Sequence, residues 1–138
     1  MKIVYVEPGK PAVAMGIDKS LSTYQGLVDG YIEVVYPFDD NAILVCNDEG
    51  KLNGSPFNRY LYHNGEPYDA VMGSFFIVGD DGEGDFMSLT DEQLTKYTEM
   101  YKDVPQFNYP HLAEPRAEMV SFDTMDDLIR QLWGDDET

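Results

Sequence analysis

The chain is short of cysteine, histidine and positive charge, and each shortage removes a class of function. Cys46 is the only cysteine among 138 residues, so a single chain can form neither an internal disulfide nor a cysteine-based zinc site. It stands in the apolar run from Ala42 to Cys46 and reads as a small buried hydrophobe. His63 lies in a polar stretch beside Asn64 and Gly65, and His111 in a proline-containing stretch. Neither belongs to a triad or to a metal-ligand spacing. Walker loops, dinucleotide fingerprints and nucleophile elbows are absent. The expectation is therefore a protein that acts by binding, not an enzyme, with no catalytic residues, metal or cofactor. No run of about eighteen apolar residues occurs, and the first residues acquire charge at Lys2 and Glu7, too early for a signal peptide. The protein is expected to remain in the compartment where it is made, the cytoplasm.

What is abundant is acid. Against 9 basic residues stand 26 acidic ones, a net charge of −17. The excess is uneven: residues 1–79 carry 10 acids and 5 bases, whereas the shorter stretch 80–138 carries 16 acids and 4 bases. Repulsion on this scale opposes compaction, so it serves solubility or a basic partner. It disfavours direct binding to a nucleic-acid backbone or to an anionic membrane. A hydrophobic content of 43% with 13% aromatics is enough for a core in one domain of this length.

Local patterns predict an α+β fold, a small and mainly antiparallel sheet with two to three packed helices. Met1 to Val6 and Val13 to Ile17 are β-type runs joined by a turn-rich link, which suggests a hairpin. Ser20 is placed to cap a helix on which Leu21, Tyr24, Leu27 and Val28 recur at helical spacing, and Gly30 stands where it should stop. Tyr31 to Tyr36 and Ala42 to Cys46 predict a second hairpin. Asn47 to Tyr68, rich in Gly, Asn and Pro, reads as an ordered loop with a short extended piece around Arg59 to Tyr62. Val71 to Gly79 (VMGSFFIVG) is the most apolar segment and predicts a central strand. Thr90 with Gln93 forms a capping box, and Leu89 with Leu94 a hydrophobic staple, for a second helix whose packing face is Leu94, Tyr97 and Tyr101. Residues 1–102 thus read as a compact α+β domain. Residues 103–138 read as a proline-containing connector followed by an acidic helix with Met125, Leu128, Ile129 and Leu132 on one side, packed on or extending the same domain.

Three groups of residues could carry function. Asp80, Asp81, Glu83 and Asp85 form one acidic cluster. Asp123, Asp126 and Asp127, at helical spacing, form a second with Asp135, Asp136 and Glu137. Carboxylates accept the bidentate arginine contacts that otherwise go to phosphate or guanine, so such surfaces can compete for a basic groove. The alternation of Asp81, Glu83 and Asp85 with Glu92 resembles part of a calcium loop, but Phe86 stands where glycine is needed. A solvated acidic loop is the simpler reading. Asn53, Asn58 and Arg59 form the third group, amide and guanidinium donors on a Gly/Pro scaffold that could recognise an anion or nucleotide.

The stretches VEPGK, GYIEVV at Gly30 to Val35, CNDEGKLNGSPFNR at Cys46 to Arg59 and DAVMGSFFIVG at Asp69 to Gly79 resemble, in order and spacing, an uncharacterised family of phages and bacterial conjugative elements, of the domain of unknown function 3846 type. The resemblance covers about residues 1–102 and implies no activity. Residues 103–138 lie outside it. A mobile-element source implies a counter-defence inhibitor of anti-CRISPR or anti-restriction type. It would act in the bacterial cytoplasm by occupying the basic nucleic-acid-binding surface of a host nuclease, such as a Cas9-type effector. The alternatives are a nucleotide-sequestering protein using Asn53, Asn58 and Arg59, and an accessory protein of phage replication or assembly.

Overall fold

Apolar residues on both sides of the central strands require a sheet covered on two faces, and that is the arrangement found. The computed structural model describes residues 1–105, which form one unit, Met1–Pro105. The expected third helix, His111 and the acidic residues from Asp123 to Glu137 lie outside the described residues. The order along the chain is β1 (Lys2–Val6), β2 (Val13–Gly16), α1 (Leu21–Val28), β3 (Ile32–Val35) and β4 (Ala42–Asn47). It continues with β5 (Phe57–His63), β6 (Glu66–Met72), β7 (Phe75–Asp80), β8 (Phe86–Met87) and α2 (Asp91–Met100). The main sheet runs β2-β1-β7-β4-β3, with β8 also on β7, and β5 and β6 form a separate two-stranded sheet. Every pairing is antiparallel. The class is α+β with mainly antiparallel sheets and two helices among the described residues.

Alternation along the strands sorts the core into two layers. Val4, Leu44, Phe75 and Ile77 join Leu89, Tyr97, Tyr101 and the hairpin residues Leu61 and Val71 on one face. Ile3, Val45, Phe76 and Val78 meet Tyr24 and Val28 of α1 on the other. Phe75 and Phe76 are wholly buried, each contributing about 1.5–3 kcal/mol.

Both expected hairpins and the first two of the expected helices are found. Ser20 Oγ accepts from the Thr23 N–H at 3.2 Å, and α1 ends on Asp29 in the left-handed conformation with Gly30 N–H bonded to Gln25 O. The capping box of α2 closes in both directions, Gln93 N–H to Thr90 Oγ1 at 3.1 Å and Thr90 N–H to Gln93 Oε1 at 2.9 Å. Leu89 and Leu94 belong to the same core layer.

Two expectations are corrected. The segment read as a loop from Asn47 to Tyr68 holds β5 and the start of β6. Its turn is Asn64-Gly65, both at positive φ, the sequence pair best suited to a tight hairpin. The run from Val71 to Gly79 is not one strand. Gly73, at φ 83°, breaks it and lets β6 leave for the hairpin while β7 enters the centre of the main sheet.

Gly79 marks a close approach between strands. A Cβ there would lie 2.8 Å from Met87 O and 2.9 Å from Ser88 O, both backbone atoms. Gly79→Ala is expected to push β8 off β7 and to cost about 1–3 kcal/mol. Urea denaturation reads this directly, and an unchanged midpoint would contradict the packing described.

Candidate functional site

The acidic cluster at 80–85 is a loop ordered by its own carboxylates. Gly82 and Gly84 adopt positive φ, letting the chain reverse between β7 and β8. Asp80 Oδ1 accepts from Gly82 N–H at 3.0 Å, and Asp81 Oδ1 from Glu83 N–H at 2.7 Å and Asp85 N–H at 3.1 Å. Asp85 pairs with Lys19 at 2.8 Å, and that hydrogen bond, with the Phe86 N–H, holds its carboxyl below the ordinary range. Asp81, Glu83 and Asp85 are exposed and Asp80 partly so. Glu92 lies in the first turn of α2. Among the described residues no group of three or more His, Cys, Asp or Glu side chains is placed to hold a metal ion.

The cations near the surface are occupied. Each of the six described lysines lies within 4 Å of a carboxylate: Lys2 by Asp91, Lys10 by Glu7, Lys19 by Asp85, Lys51 by Asp69, Lys96 by Asp40 and Lys102 by Glu99. These pairs are exposed and add little stability. Their effect is on the field, because the side-chain charge left unneutralised on the described surface is carboxylate. Asp80, Asp81 and Glu83 are part of it.

The third group is only partly brought together: Asn58 and Arg59 are bonded to each other, and Asn53 serves a separate turn. Asn53 is exposed and turns the chain locally, its Oδ1 accepting from Ser55 N–H and Oγ. Asn58 is buried and donates to Val6 O and Gly73 O at 3.0 and 2.9 Å. Arg59, only 3% exposed, donates from Nη1 to Asn58 Oδ1 at 2.8 Å and from Nη2 to Lys10 O and Tyr101 O, both at 2.8 Å. Burial holds its guanidinium below its ordinary range. Asn58 and Arg59 thus tie the hairpin to the link between β1 and β2 and to the end of α2. The polar character of these residues suggested a surface. The aromatic residues Phe57, Tyr60 and Tyr62 around them, ahead of the turn pair Asn64-Gly65, were the signal of a strand.

Cys46 is buried, which pushes its thiol up to about 11, so at neutral pH it is a protonated, unreactive side chain. His63 stacks edge-on with Tyr68 at the hairpin tip.

A groove of about 580 Å³ runs between β5 and α2, floored by Leu61 and walled by Phe38, Tyr60, Tyr62 and Met100. None of these was singled out from the sequence as a site, since each reads locally as a core or loop residue. No helix among the described residues is long and apolar enough to cross a membrane.

The fold and its surfaces define a small acidic α+β domain with a covered antiparallel sheet, a rigid acidic loop and an aromatic groove. The chain belongs to the family described as domain of unknown function (DUF3846), whose model matches residues 1–102. No curated protein and no solved structure matches the chain.

Proposed function

We propose that this protein is an acidic inhibitor that occupies the basic nucleic-acid-binding surface of a host nuclease, in the manner of a DNA mimic of anti-CRISPR or anti-restriction type. One observation carries the reading: every described lysine is paired with a carboxylate, so the side-chain charge left unpaired on the described surface has one sign. The loop at 80–85 holds Asp80, Asp81 and Glu83 on a backbone fixed by its own hydrogen bonds, which lowers the ordering cost of docking. Asp123, Asp126, Asp127, Asp135, Asp136 and Glu137 extend the same excess in the sequence. Duplex DNA carries one charge per ~1.7 Å of axis, and a cationic channel shaped for it attracts a dense carboxylate surface for the same reason. The nucleotide-sequestering alternative has no comparable support, because Asn58 and Arg59 are buried, Arg59 donating to Asn58 and both donating to backbone carbonyls of the fold.

The test is capture of a nuclease from a bacterial lysate, followed by titration. Affinity should fall steeply between about 0.1 M and about 1 M salt as the Debye length shrinks. Asp80→Asn, Asp81→Asn and Glu83→Gln together should weaken binding about tenfold at low salt. Asparagine keeps the Oδ1 acceptors of the turn, so the loop stays folded. Salt-independent binding, or a triple variant as tight as the parent, would remove the basis for the proposal.

A further inference from the structure

The groove beside β5 is not used by charge mimicry at the 80–85 loop, and its construction is unusual. Four consecutive residues of β5, Arg59, Tyr60, Leu61 and Tyr62, line it. Arg59, Tyr60 and Leu61 keep unbroken register with β6, so their side chains alternate between faces, whereas the register shifts between Leu61 and Tyr62. A groove that touches both faces follows the edge of the strand. β5 has β6 on one side and, among the described residues, no strand on the other. Such an edge offers a row of backbone donors and acceptors to an incoming chain.

The walls give the occupant its chemistry. Tyr60 and Tyr62 are exposed and stand edge-to-face, with ring centroids 6.3 Å apart, and Met100 is also exposed. Tyrosine and methionine are side chains enriched where proteins meet. Lys96 lines the groove but is paired with Asp40, whereas the lining carboxylates Asp39 and Asp103 have, among the described residues, no cation within salt-bridge distance.

We infer that the groove receives an extended segment of a partner protein, with alternating apolar and basic side chains, which adds to β5 as a third strand. Backbone hydrogen bonds to the β5 edge give the pairing. Apolar side chains pack on Tyr60, Tyr62 and Met100, and basic ones meet Asp39 and Asp103. This inference goes beyond the acidic-loop reading and would stand if that reading fell.

The probe is an acetylated, amidated peptide of four Val-Arg repeats, titrated into the full-length isotope-labelled chain at about 0.3 M salt, where long-range fields are screened. It should shift the amide resonances of Arg59 to Tyr62. N-methylation of alternate peptide nitrogens, which leaves charge and composition intact, should weaken binding at least about tenfold, as should Tyr60→Ala with Tyr62→Ala. Asp80→Asn, Asp81→Asn and Glu83→Gln together should leave it within about twofold, because that loop does not line the groove. Equal binding by the N-methylated peptide, equal binding by a peptide of four Val-Glu repeats, shifts confined to 80–85 or absence of binding would each overturn the inference.

Discussion

Arg59→Leu is expected to destabilise the protein by about 3 kcal/mol, with a fall in Tm of roughly 10 °C or more. The guanidinium joins Asn58, Lys10 and Tyr101 through four hydrogen bonds of 2.8–3.3 Å in a site almost closed to water. Leucine fills much of the volume but leaves those oxygens without their donor, and each buried unsatisfied group costs about 1–3 kcal/mol. Two terms act the other way. No carboxylate among the described residues pairs with this buried charge, so its removal relieves a desolvation cost, and Tyr101 O still accepts from Ala12 N–H at 3.2 Å. The net effect is therefore smaller than the sum of the bonds. Arg59→Lys should recover only part of the loss, since one ammonium cannot reproduce the planar fork. Urea denaturation of the three proteins decides the matter. A change within about 0.5 kcal/mol for Arg59→Leu would show that the hairpin is held by apolar contacts alone.

The second large effect is expected at Tyr97, wholly buried on α2, its ring against Phe38 at 4.6 Å between centroids and its hydroxyl donating to Asp40 at 2.8 Å. Tyr97→Ala removes an aromatic ring from the layer beneath the sheet and should cost about 3–5 kcal/mol. Tyr97→Phe keeps the ring and isolates the hydrogen bond, at about 1–2 kcal/mol. The pair also makes stability depend on pH. The Tyr97 hydroxyl, helped by the Asn41 N–H, Gln93 and Lys96, holds the Asp40 carboxyl below its ordinary value of 3.8. A carboxyl depressed in the folded state contributes stability that is fully present above its unfolded value. That contribution is lost as pH falls through the folded one. The parent should therefore lose stability on acidification below about pH 4, and Tyr97→Phe should lose less over the same interval. Parallel curves for the two proteins would place the acid sensitivity elsewhere.

Much of the fold was legible because its signals are local. The capping box at Thr90 and Gln93 and the Ser20 cap with the Gly30 stop follow from which side chains can satisfy the free ends of a helix. The short β-branched and apolar runs of β1, β3 and β4 suit strands of a covered sheet. The β5–β6 hairpin was missed for a physical reason. Asn58 and Arg59 look like surface residues until carbonyls from Val6, Lys10, Gly73 and Tyr101, distant in sequence, arrive to receive their donors. Gly73 was hidden in the same way, since an apolar run through it gives no sign that the chain changes sheets there. Of the candidate residues, the acidic loop was readable from composition. The groove was not, because its walls come from three separate parts of the chain.

The sequence by itself determined the charge, the class of fold, the ends of both helices and the absence of familiar catalytic spacings, since each depends on composition or on neighbours within a few residues. Tertiary structure alone decided that each described lysine would meet a carboxylate, that Arg59 would turn inward and that β5 would present an open edge beside α2. Apart from the local pairs Lys10–Glu7 and Lys102–Glu99, those outcomes depend on distances between residues far apart in the chain, which the order of amino acids does not display until the sheet has closed around its core.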